Sequence, residues 1–164
     1  MTDSNLIAQC ADVLFREGRY LDAHDWDAWL GLFTEDAWWH VPMWVNEHEL
    51  TSDPKRELSL MWYADRTGLE DRVFRIRTGA SAASTPLPRT THVISNVSVE
   101  AQGDDGYRVY SVAVVSSFRH KNHYEFYCHY EHNLRRTEAG LRIAGKKIVV
   151  KNDLIPDIID IYSI

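Results

Sequence analysis

Between residues 91 and 154 the chain reads as four long strands in succession, and this run constrains the fold more than any other feature. Thr91–Ala101, Tyr107–His120, Tyr124–Thr137 and Leu141–Leu154 are rich in Val, Ile, Tyr and Phe and carry the two-residue alternation of an extended backbone. Short polar stretches join them: GDDG at 103–106, HKNH at 120–123 and EAG at 138–140. Connections this short allow only an antiparallel meander. Strands this long must twist and bend, because flat sheets are disfavoured.

The first half of the chain has the helical period instead. Ser4 is placed to cap a helix with Leu6, Ile7, Cys10, Val13 and Leu14 on one face. Gly18 is expected to interrupt it, leaving a further helical turn at Arg19–Ala23. Asp25 then caps a third helix, where Trp26, Trp29, Leu30 and Phe33 recur at the spacing that buries one side of a helix. Ala37–Trp44 reads as a strand closed by Pro42 near a sheet edge. Its alternation turns Trp38, His40 and Pro42 one way and Trp39, Val41 and Met43 the other. Residues 46–57 form a polar loop around Asp53-Pro54. Leu58–Tyr63 is a short strand with Leu58, Leu60 and Trp62 on one face. Leu69, Val73, Phe74 and Ile76 outline a helix over 68–77, with Arg66, Arg72, Arg75 and Arg77 on its wetter faces. Gly79–Arg89 is a loop. Helices first and a meander last make an α+β fold, with the helices packed on one face of a strongly curved, mostly antiparallel sheet that closes as a cone. The 164 residues are expected to form one domain.

Charge and composition remove several function classes. A net charge of -6 with both signs interspersed provides no basic face for nucleic acid. No stretch approaches the ~18 apolar residues of a membrane helix. The N-terminal MTDSNLIAQC has neither the basic region nor the apolar run of a secretory signal, so a cytoplasmic location is expected. The two cysteines, Cys10 and Cys128, have no partners at zinc or iron–sulfur spacing; buried, reduced thiols are expected, with a Cys10–Cys128 disulfide as the alternative. The closing LIPDIIDIYSI is too apolar to lie in water. It either joins copies of the chain in a trimer or packs back on its own sheet.

Two constellations could carry chemistry. CHYEHNL at 128–134 offers His129, Glu131 and His132, a set of the kind that holds non-haem iron. On a strand, however, His129 and Glu131 share one face while His132 points to the other, which makes cross-strand polar contacts the plainer reading. His40, His92 and Asp153 lie on or beside predicted strands and are the candidates for an acid/base pair with an orienting carboxylate. There is no Ser–His–Asp or Cys–His motif, glycine-rich phosphate loop or redox cysteine pair. Two readings stand on these residues: a free-standing cone-fold dehydratase or isomerase, and a small-ligand-binding module.

Three stretches narrow the choice. RYLDAHDWDAWLGLFTEDAWWHVPMW (19–44), ELSLMWYADRTGLEDRVFRIRTG (57–79) and PRTTHVISNV (88–97) resemble the small, or beta, subunit of Rieske non-haem iron aromatic-ring-hydroxylating dioxygenases. The block Ser59–Val97 is most similar to the branch that includes benzoate, anthranilate and toluate 1,2-dioxygenases, benzoate first. The resemblance implies the nuclear-transport-factor-2-like (cystatin-like) cone, which agrees with the order of elements above. It also implies a structural subunit with no catalytic, cofactor-binding or metal-binding residue of its own. The partner would be an alpha subunit carrying a Rieske 2Fe–2S cluster and a mononuclear non-haem iron, three alpha with three beta. An NADH-dependent reductase would supply electrons for cis-dihydroxylation of a small aromatic carboxylate with dioxygen.

Overall fold

The computed structural model describes residues 4–104 and 106–164. In chain order it contains α1 (Ser4–Asp22), α2 (Trp26–Leu30), β1 (Phe33–Pro42), β2 (Ser59–Tyr63), α3 (Thr67–Arg77), β3 (Arg89–Gln102), β4 (Gly106–Arg119), β5 (Asn122–Thr137) and β6 (Gly140–Val150). All strands belong to one sheet, in the order β2-β1-β6-β5-β4-β3. β3 to β6 form the expected antiparallel meander. β6 then runs parallel to β1, which is antiparallel to β2. The result is an α+β fold with helices on the inner face of a curled sheet.

The register decides which side chains meet. Trp39, Lys146, His132, Val109 and Val99 form one row across the inner face. His40, Lys147, Glu131 and Tyr110 form the adjacent row on the outer face. The inner face is packed against Leu14 and Leu21 of α1, Trp29 of α2, and Leu69, Val73 and Ile76 of α3. Trp29, Trp39, Phe126, Ile143 and Ile148 are among the largest fully buried side chains. Trp29 meets Trp39 edge to face at 5.9 Å, a geometry aromatic rings favour.

Several local expectations need correction. Helix α1 begins at Ser4 and runs unbroken through Gly18 to Asp22. That glycine marks close packing: a methyl group there would fall 3.1 Å from Cβ of His92 on β3. Asp25 does cap α2, accepting from the Ala28 amide at 3.2 Å. The helix stops at Leu30, however, and Phe33 opens β1, its ring 5.0 Å from that of Trp29. β1 therefore spans 33–42 rather than 37–44 and lies second from the edge. In β2 the core-facing residues are Met61 and Tyr63, while Leu58 is 72% exposed and Trp62 only half-buried. Both phases of that short strand are apolar, so alternation could not choose between them. Phe74 projects from α3 and is 70% exposed.

The turns and the tail follow from local chemistry. At the second hairpin His120 and Lys121 have φ of 52° and 64°, the left-handed pair that matches strand twist. Of the first hairpin, Asp105 lies outside the described residues. β6 ends at Val150, not Leu154. Beyond it the Asn152 side chain replaces the ladder, bonding the Tyr127 amide and the Glu125 carbonyl, each at 2.9 Å. The tail divides. Ile161, Tyr162 and Ile164 are buried on their own chain, and Arg72 of α3 forks onto the Asp160 carboxylate. Leu154, Ile155 and Ile158 remain exposed. Cys10 and Cys128 are buried and free. No helix among the described residues is long and apolar enough to cross a membrane.

Candidate functional site

The most concentrated chemistry lies inside the cone. Glu17 projects from α1, His132 from β5 and Lys146 from β6, and none is more than 1% exposed. Glu17 accepts from the Lys146 ammonium at 2.9 Å and from His132 Nε2–H at 2.8 Å. Burial opposes a charge on Glu17, but the Lys146 ammonium and the His132 contact outweigh it and hold the carboxyl at about 2. Burial keeps His132 below its ordinary value, so at neutral pH it is a neutral donor. The same low-dielectric surroundings push the Cys128 thiol up to about 12 and the Tyr130 hydroxyl well above its usual range. Neither is a nucleophile or base near neutral pH.

A second pair sits at the C-terminal end of α1. Asp22 accepts from His92 Nδ1–H at 2.6 Å, from the His92 amide at 3.0 Å and from the Thr90 hydroxyl at 2.9 Å. Burial works against the Asp22 charge, yet the His92 and Thr90 hydrogen bonds lower its pKa. This has the form of an oriented histidine. His92 Nε2, however, is buried and meets no hydrogen-bond partner among the described residues.

The three acid/base candidates do not come together. His92 is on the inner face of β3, at one edge of the sheet. His40 is on the outer face of β1, four strands away, with Nε2 3.1 Å from Ser59 Oγ and its ring edge-on to Trp62. Burial and then the Lys147 charge lower the pKa of His40. Asp153 lies past β6 in an open surface groove with Trp44, Glu47 and Lys151. The iron-like trio is divided as its spacing predicts: His132 points inward, and Glu131 pairs on the outer face with Arg108 at 3.3 Å. Among the described residues no group of three or more His, Cys, Asp and Glu is placed to hold a metal ion. Cys10 and Cys128 sit on α1 and β5, without the paired Cys and His ligands a Rieske cluster requires, so the described residues do not fit either iron group.

Glu17, Asp22 and Lys146 escaped the sequence reading, although two of them leave a signal. Glu17 falls in the apolar stripe Cys10, Leu14, Leu21, and Lys146 falls in phase with Ile148 and Val150. A charge in a buried phase needs a partner.

Fold and interior define a cone of the nuclear-transport-factor-2 type whose inside is occupied by its own side chains. A protein of that type with a cystatin-like fold from Novosphingobium aromaticivorans superposes with a TM-score of 0.63 at 16% identity, over 90% of this chain and 82% of its own. The ring hydroxylating beta subunit family model matches residues 16–157, and the chain belongs to that family. It is 41% identical to the 2-halobenzoate 1,2-dioxygenase small subunit of Burkholderia cepacia, over 92% of each chain. It is 38% identical to the benzoate 1,2-dioxygenase beta subunit of Acinetobacter baylyi, over 100% of this chain and 97% of that one. The crystal structure of the benzoate 1,2-dioxygenase beta subunit from Burkholderia mallei superposes with a TM-score of 0.80 at 35% identity, over 100% and 99% of the two chains. As a ring-hydroxylating dioxygenase beta subunit, the chain is one part of a multi-subunit oxidoreductase and works with an alpha subunit.

Proposed function

We propose that this chain is the structural small subunit of an oxygenase that cis-dihydroxylates benzoate or a related small aromatic carboxylate, using dioxygen and electrons from NADH. The observation that carries this reading is end-to-end similarity, 38% and 41% identity, to small subunits of 1,2-dioxygenases named for benzoate and 2-halobenzoate. The alpha subunit would hold a Rieske 2Fe–2S cluster and a mononuclear non-haem iron, in an assembly of three alpha and three beta chains served by an NADH-dependent reductase in the cytoplasm. The chain acts as one domain and associates as a trimer. Exposed Val93 and Tyr127 on the outer face, with Leu154 and Ile158 of the tail, offer apolar surface for such contacts. The scattered positions of His40, His92 and Asp153 and the filled interior favour this reading over a free-standing dehydratase, isomerase or ligand-binding module.

The test is co-expression with the large subunit. Dihydrodiol is measured per mole of intact, iron-loaded complex, with assembly checked by gel filtration. Asp153→Asn and His40→Gln should leave turnover within about tenfold, well short of the roughly 10²–10⁴-fold that loss of a general acid or base costs. A thousand-fold loss in an intact complex would place a catalytic residue in this chain and overturn the reading.

A further inference from the structure

The cone interior treats one side chain as a receptor treats a guest. The Lys146 ammonium lies 4.0 Å from the centroid of the Tyr130 ring and 4.8 Å from that of Trp39. Glu17 supplies the countercharge at 2.9 Å. These walls come from β5, β1 and α1, so the site is assembled by the tertiary fold and not by any one element. Among the described residues, the Tyr130 hydroxyl and the Trp39 indole N–H meet no hydrogen-bond partner. Both serve the cation through their faces, where the ring quadrupole is negative. All four residues are buried, which removes the competing hydration an ammonium would have at the surface.

We propose that the interior of the cone is a cation cage for a primary alkylammonium, closed in this chain by its own Lys146. Carboxylate and two aromatic faces recognise the head group, and the path from the β6 backbone accommodates an unbranched alkyl stem. Lys146→Ala removes Cγ, Cδ, Cε and Nζ, the atoms of n-propylammonium, and so creates a vacancy of matching shape and charge.

The experiment uses the full-length chain with Lys146→Ala, refolded from urea with n-propylammonium, 1-propanol or propionate. A guest of four heavy atoms binds no tighter than roughly tens of micromolar, so the titration extends to about 50 mM. The thermal midpoint of the variant should rise saturably with n-propylammonium and not with propionate. 1-Propanol should give less than half the rise, and the wild type should not respond to the amine. An equal response to 1-propanol would reduce the site to an apolar hole and overturn the proposal, as would no response to the amine. If Lys146→Ala does not fold under any condition, Lys146→Met decides. Methionine keeps most of the volume and leaves the Glu17 carboxylate without its cation. Glu17 faces His132 as well as Lys146, with Tyr130 beside them, and without the Lys146 charge both Glu17 and His132 would take up protons more readily in the folded protein than they do in the wild type. Relative to the wild type, the midpoint of Lys146→Met should therefore rise from about pH 8 to about pH 5. A Met variant as stable as the wild type, with no such rise, would show that the carboxylate does not hold the cation there.

Discussion

Lys146 and Lys147 are neighbours in sequence and occupy opposite worlds. Lys146 is sealed under two aromatic rings and bound to Glu17, while Lys147 lies half-exposed in the outer row with His40 and Glu131. Trp38 and Trp39 repeat the contrast one strand away. Trp39 is fully buried against Trp29, whereas Trp38 lies on the outer face over Gly145. The two faces of one sheet thus use the same residue types for different ends. Inside, charge is tolerated only where its partner is fixed, so removing one member strands the other. Outside, water can replace a lost partner, and a substitution should act mainly on packing or on a neighbour's titration.

The sharpest way to break this contrast is Glu17→Ala. It leaves the Lys146 ammonium buried and unpaired and should cost about 3–5 kcal/mol in urea unfolding. A loss under about 1 kcal/mol would mean that the interior does not behave as a sealed ionic centre.

Acid should expose the same centre without mutation. The folded pKa of Glu17, about 2, lies below the ordinary glutamate value of 4.5. Its contribution is therefore complete above the unfolded pKa and is lost as pH falls from about 4.5 toward about 2. Glu17→Gln should remove that component of the acid-unfolding curve, a difference that urea titrations at several pH values would measure.

Gly145→Ala probes the outer face where it is tightly packed. The added methyl would collide with the Trp38 ring, so the indole must move. The expected cost is about 1–3 kcal/mol, with a change in tryptophan emission. Trp62→Ala should cost about 1 kcal/mol, chiefly the edge-on contact with His40, whereas Trp29→Ala in the core should cost about 3–5 kcal/mol. The smallest effect is expected from Lys147→Ala, within about 0.5 kcal/mol in stability. It should nevertheless raise the His40 pKa, because the Lys147 charge acts with burial to lower it, and an NMR titration of His40 would read this.

Periodicity made the meander, the capped tryptophan helix and the inward turn of His132 legible, since each depends on neighbours close in sequence. It misread Gly18, because a glycine that ends a helix and one that lets β3 approach look alike until the strand is in place. It misread the phase of β2, where Met61 and Tyr63 are as apolar as Leu60 and Trp62. His92 was grouped with His40 and with Asp153 as the orienting carboxylate, but the carboxylate it meets is Asp22, from a helix end 70 residues away. Candidate residues chosen for their chemistry could not be assembled from spacing, because the sheet order places β1 and β3 far apart. Glu17 and Lys146 were visible only as charges in the wrong phase.

The parallel pairing of β1 with β6 also has a consequence for how the chain is made. Glu17 is synthesised 129 residues before the lysine that neutralises it, and Trp39 waits for the same strand. At roughly 5–20 residues per second that interval is about 6–26 s, during which the nascent chain carries bare tryptophans and a carboxylate with no counterion. The first helices and β1 cannot settle until residue 146 has cleared the ribosome tunnel. The sheet and its buried ion pair can therefore close only near the end of synthesis.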